Sequence, residues 1–321
     1  MTFGKELLLT KQLIRPPRVV EGSTVGVVST SSPVSKDQLD HVIDYFESCG
    51  HPAKVGAHVL DDFGYLAGSR EDRLADLEDM FRDPDVSLIV PANGGKGAAS
   101  LLDGLDVNLV RNNPKVFTGI SDPSALCNGI AASAGLLTLH GPSGVDFSRR
   151  PVNSQTMDAF WEIVRGPIVG KEIVGSNWRH HRLAHGQSVS GRAMGGHLGT
   201  IQALIGTLWM PDFTDAVLFV EEVAVPWMRI DAMLTHLRLA GVLDAVSALV
   251  VGTPVECERG DALDASLDDV VLRCVPTDLP VITGVDFGHT PRKIPFAVGG
   301  RIELRVHDDV ASLVYLDDLV E

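Results

Sequence analysis

Cysteine is scarce in this chain: Cys49, Cys127, Cys257 and Cys274 are the only four among 321 residues. They form no C-x-x-C pair and no dense framework, which excludes a disulfide scaffold or a zinc ribbon and leaves reduced, mostly buried thiols as the expectation. Long apolar runs are also missing. No stretch approaches the roughly 18 residues of a membrane span, and the run within residues 1–11 is too short for a signal peptide. A cytoplasmic location is therefore expected. No run of Lys and Arg interrupts a formal charge of −15, so neither nucleic acid nor an anionic membrane is an expected partner. Internal repeats and low-complexity tracts are absent as well.

What is present is an ordinary globular composition, 45% apolar and 21% charged, with length for two domains. Residues 1–150 alternate strand and helix signals as a doubly wound α/β sheet requires. Ser35 and Gln38 form a capping box before Leu39, Val42, Ile43 and Phe46, and Ser69 opens a second helix that ends at Asp83-Pro84. Apolar runs at 24–28, 86–91, 115–120 and 136–139 read as strands. Across 151–190 the periodicity weakens, and this stretch reads as a linker and loop segment. Regular signals return over 191–321, the expected second domain.

The segment Pro114–Leu126 carries the strongest chemical signal. Its strand stops at Gly119-Ile120 and leaves Ser121 at the turn into a helix. A hydroxyl there is lifted out of the sheet, beside unpaired backbone N–H groups and the partial positive charge of a helix start. That suits a nucleophile; the alternative is an N-cap serine. A nucleophilic serine needs a base and a group that orients the base. His289 follows an apolar strand and Gly288; His140 stands in a similar strand-end setting; either could instead be a loop histidine bonded to backbone. Glu221 emerges at the end of strand 217–220, as an imidazole partner or as a surface carboxylate.

The turn Asn93-Gly94-Gly95-Lys96-Gly97 ends strand 86–91, so in an open α/β sheet it shares a crevice with Ser121. It lacks the P-loop pattern and the third glycine of a dinucleotide fingerprint. It reads as a plain turn or as a source of backbone oxyanion donors. His180, His181 and His185 have no carboxylate at matching spacing, so no metal site is expected.

With these positions in hand, the chain resembles the serine LD-carboxypeptidase family, which includes muramoyltetrapeptide carboxypeptidases and microcin C self-immunity proteins. The likeness covers nearly the whole length in order. It rests on Arg15-Pro-Pro-Arg18, Gly22–Gly26, Leu66–Arg73, Asn93–Gly97, Gly119–Asp122, His140-Gly-Pro142, Gly195-Gly-His-Leu198, Gly206-Thr207, Leu218–Glu221, Ile230-Asp231 and Phe287-Gly-His289. The resemblance implies Ser121 as nucleophile, His289 as general base, Glu221 as the carboxylate that orients it, and backbone N–H groups of Gly94 and Asp122 as the oxyanion hole. It implies an N-terminal Rossmann-like parallel sheet domain plus a C-terminal swivelling β/α domain, a homodimer, and no metal or organic cofactor. Asn93, Gly95, Lys96 and Trp178 are candidate substrate-binding residues, Trp178 as a stacking surface for a nucleotide or aromatic ligand.

The implied activity is hydrolysis of a C-terminal amide of a small peptide, the L,D bond of a murein tetrapeptide with release of D-alanine. The immunity branch implies peptidyl or aminoacyl adenylates instead, and a capping role for Ser121 would leave a non-catalytic, nucleotide-binding Rossmann-like protein. The chain departs from the family pattern at three places. Pro91-Ala-Asn93 stands where murein-recycling members usually have Arg, Lys96 where they usually have an aromatic residue, and His197 where Asn is common.

Overall fold

The computed structural model describes residues 13–259 and 265–321; the segment 1–11, read above as too short for a signal peptide, lies outside them. Two sheets organise these residues. The first is built from β1 (Thr24–Val28), β2 (Ala53–Val55), β3 (Val86–Pro91), β4 (Val116–Gly119) and β5 (Thr138–His140). The second draws on β6 (Glu172–Val174), β7 (Arg179–His181), β8 (Ser188–His197), β9 (Ala216–Glu221), β10 (Ala248–Gly252) and β11 (Val281–Val285), and on β13 (Arg301–His307) and β14 (Val310–Tyr315). Between these last groups, β12 (Phe296–Val298) returns to the first sheet.

Strand order in the first sheet is β12-β5-β4-β3-β1-β2, parallel throughout except for β12, which runs antiparallel to β5. Its central strands are apolar and buried on both faces, as crossover helices demand. The expected capping box at Ser35 and Gln38 opens helix Lys36–Ser48, which buries Leu39, Val42 and Phe46; Ser69 caps helix Arg70–Arg82. The second sheet, in order β6-β14-β13-β8-β9-β10-β11-β7, has a parallel centre of β8 to β11 flanked by antiparallel strands. Helix Trp227–Leu239 covers it with Ile230, Met233, Leu234 and Leu237. The architecture is thus α/β with two sheet-centred domains.

Residues 151–190 are more ordered than a linker and loops. Helix Ser154–Arg165 buries Met157, Phe160, Ile163 and Val164, and the polar run around Arg179 forms edge strand β7 against β11. Backbone pairing with β11 and polar ties such as Arg179 to Asp268 hold this edge strand, so its side chains carry no apolar alternation to read.

The two halves interlock beyond β12. Asn128, on helix Ser124–Ala134, donates to the Gly195 carbonyl at 2.8 Å and accepts from Gly195 N–H at 3.0 Å. Buried Lys293 pairs with buried Asp146 at 3.0 Å. An aromatic cluster fills the seam: Phe296 stacks on Phe219 with centroids 4.2 Å apart and on His140 at 4.8 Å, and Phe287 meets all three edge-on.

Candidate active site

Ser121 sits one residue beyond Ile120 at the carboxyl end of β4, with φ of +64°. Non-glycine residues rarely occupy this left-handed region, and holding one there costs about 1–3 kcal/mol. The strained turn separates Ser121 from the helix it precedes. Pro123 is the N-cap, and the Ser121 hydroxyl receives no helix N–H; only its carbonyl accepts, from Ser124 N–H at 2.9 Å. The capping alternative is therefore not what this serine does.

The double-glycine turn lies against it. A Cβ on Gly94 would stand 3.2 Å from Ser121 Cβ and 3.4 Å from its Oγ, and one on Gly95, at φ +112°, would collide with Ser32 Oγ at 2.0 Å. Both glycines thus permit a close approach that a side chain would block. Of the two expected oxyanion donors, Asp122 N–H has no acceptor among the described residues, whereas Gly94 N–H is engaged by Asn93 Oδ1 at 2.8 Å. Asn93 also donates to the Pro33 carbonyl at 2.8 Å, so its amide braces the turn. The Asp122 carboxylate accepts from Ala98 N–H at 2.7 Å and is buried. Burial raises its pKa against the pull of that bond, the Ser31 hydroxyl and the charges of Lys96 and His197.

In the second sheet, Glu221 ends β9 with its side chain fully buried. Its Oε2 takes the His289 Nδ1 hydrogen bond at 2.7 Å and the His289 backbone N–H at 3.3 Å. Glycines make room for this carboxylate. A Cβ on Gly288, at φ +85°, would lie 2.4 Å from Glu221 Cγ, and one on Gly252 would lie 2.8 Å from Glu221 Cβ. Burial alone would raise the Glu221 pKa; the His289 hydrogen bond and the charges of His289, His197 and His140 bring it below the usual range. The carboxylate stays ionised, and with Nδ1 bound, His289 Nε2 is left for chemistry.

His140, the other candidate base, is buried between Phe287 and Phe296, and burial pushes its pKa down to about 4. It is a neutral part of the seam. A second histidine–carboxylate pair, hidden from sequence reading, lies beside the first: His197 Nε2 and Glu222 Oε1 are 2.8 Å apart, and the His197 and His289 rings are 5.8 Å apart. Alternation along a strand would send Glu222 to the opposite face from Glu221. Instead β9 ends at Glu221, and Glu222 turns to accept from Gly199 N–H at 3.0 Å and Val223 N–H at 3.1 Å. The replacement of Asn by His at 197 was the one available signal.

Trp178 is buried, packed against Gly175 beside edge strand β7, three strands from β9 in the sheet order. His180 bonds to the Leu183 carbonyl, His181 to Asp268 and Thr283, and His185 to Asp308, each a local tie. Among the described residues, one group with metal-ligand spacing, His58, Asp61 and Asp72, brings its ligand atoms within 4.8 Å. Both ring nitrogens of His58 already face these carboxylates as ion pairs on the protein surface.

Residues 25–141 match the LD-carboxypeptidase N-terminal domain, and residues 190–304 match the LD-carboxypeptidase C-terminal domain. The chain is 30% identical to the "Probable murein peptide carboxypeptidase" of Bacillus subtilis over 93% of its own length and 94% of that protein. Its fold overlays a muramoyltetrapeptide carboxypeptidase from Oxalobacter formigenes with a TM-score of 0.82 at 26% identity, covering 92% of this chain and 99% of the other. The microcin C7 self-immunity protein MccF, solved in complex with aspartyl sulfamoyl adenosine, overlays with a TM-score of 0.87 at 22% identity, covering 96% and 100%.

Proposed function

Since this chain belongs to the LD-carboxypeptidase family, we propose that it releases D-alanine from a murein tetrapeptide by hydrolysing the terminal L,D amide bond, with Ser121 as nucleophile. One observation supports the assignment of roles above others: the 2.7 Å Glu221–His289 pair at the end of β9, which orients an imidazole as a serine hydrolase requires. Ser121 Oγ attacks the amide carbonyl, and its proton passes to His289 Nε2. Glu221 keeps the imidazole in the tautomer with Nδ1 protonated and stabilises the imidazolium. The tetrahedral oxyanion is received by Asp122 N–H and by Gly94 N–H, the latter giving up Asn93 Oδ1. His289 then protonates the leaving amine, and water enters by the reverse route to free Ser121.

A second reading keeps the three side chains and makes the substrate a peptidyl or aminoacyl adenylate. Trp178 is buried beside β7 and so presents little of the stacking surface an adenylate would use, which favours the peptide. The same reading has the enzyme working in the cytoplasm as a homodimer. Four free cysteines fit a reducing compartment, and no described helix is long and apolar enough to cross a membrane.

Mass spectrometry of a murein tetrapeptide incubated with the protein should show loss of one D-alanine. Ser121→Ala, Glu221→Ala or His289→Ala should each lower kcat by on the order of 10⁴. Full turnover by the serine variant would refute the nucleophile assignment.

A further inference from the structure

Among the described lysines, Lys96 is the one whose ammonium meets no carboxylate or carbonyl. Lys36, Lys54, Lys171 and Lys293 each pair with a carboxylate, and Lys115 is buried against the carbonyls of Asp83 and Val86. Lys96 is exposed and its ammonium has no such partner among the described residues, although its backbone is fixed, with N–H donating to Ser32 Oγ at 3.2 Å. Gly95 and Gly97 on either side take φ of +112° and +115°, so the turn holds a set course past Ser121. A Cβ added to Gly94, two residues earlier, would stand 3.2 Å from Ser121 Cβ, so the turn passes close to that serine.

The Lys96 charge acts on both walls. It acts on Asp122, which follows Ser121 in the first half, and on His197, at the end of β8 in the second. His197, the other cationic candidate on these walls, has no nitrogen to spare: Nε2 is bound to Glu222 at 2.8 Å and Nδ1 to Thr200 Oγ1 at 2.9 Å. Lys96 is the donor that remains for an anion.

A carboxypeptidase substrate carries such an anion on the leaving side, one carbon from the scissile nitrogen. We propose that Lys96 recognises the free α-carboxylate of the residue to be released, and so restricts cleavage to the chain terminus. This assignment rests on the reading of Ser121 as the nucleophile. An ammonium suits the task, as a compact charge with three donors on a flexible stem. The linker anion of an adenylate would present the same chemistry at the same side.

Calorimetry on the full chain carrying Ser121→Ala measures binding without turnover. The probes are a murein tetrapeptide as the free acid and as its C-terminal amide. The acid should bind about tenfold or more tightly than the amide, as a charge-assisted hydrogen bond provides. Adding Lys96→Met should abolish that preference, and Lys96→Arg should retain most of it. A non-hydrolysable aminoacyl sulfamoyl adenosine forms the second arm. Weakening of this probe alone would move the recognised anion to the nucleotide linker and overturn the carboxylate assignment. Lys96→Met with an undiminished acid-over-amide preference would overturn it too. Full turnover by Ser121→Ala would instead count against the nucleophile, leaving the binding measurement on Lys96 to stand by itself.

Discussion

The proposed nucleophile combines a hydroxyl with a backbone conformation that its side chain disfavours. At φ +64°, Ser121 stands where glycine is relaxed and alanine is not. Ser121→Gly and Ser121→Ala should both be inactive, yet the glycine variant should be the more stable by about 1 kcal/mol in denaturant melts. Equal stabilities would mean that the turn relaxes on substitution. The strand-end setting of Ser121 and Glu221 was legible because each follows an apolar run that ends abruptly, and the Glu221–His289 pairing is what the resemblance implied. The His197–Glu222 pair was not legible, because one residue of chain turning after β9 reverses the side on which Glu222 emerges. The burial of Trp178 was not legible either: in a polar stretch a lone indole carries no periodicity that would assign it to a core.

At the level of elements, turns do the positioning. The stretch between β11 and β12 threads His289 against Glu221 through Gly288, which sits at φ +85° with no space for a Cβ. Gly288→Ala must push either the carboxylate or the imidazole out of line. It should lower kcat by about 100-fold or more, as misplacement near 1 Å does. Thermal melts run alongside the kinetics separate this from unfolding, and a wild-type kcat would contradict the geometry. Most elements could be read from the chain, since capping boxes and apolar periodicity coincide at helices such as Lys36–Ser48. Strands β6 and β7 could not. They are three-residue edges whose pairing is written in their neighbours' backbones.

Over the whole molecule, the seam between the halves sets the response to acid. His140, buried there with a pKa near 4, stays neutral in the folded state, while an unfolded histidine takes up its proton near 6.5. A folded pKa below the unfolded one means that stability is lost as pH falls from about 6.5 to about 4, by roughly 3 kcal/mol in all. His140→Gln should remove this component, so the stability gap between the variant and the wild type should shift in the variant's favour across that window in chemical melts. A gap independent of pH would show that the histidine is not held neutral.

Strand β12 adds a consequence in time. A ribosome emits this polypeptide from its N-terminus, and the sheet whose β4 leads to Ser121 lacks its last strand until residues 296–298 have left the exit tunnel. By then Glu221 and His289 have emerged as well. The first sheet is therefore completed only after all three residues proposed for catalysis have been made.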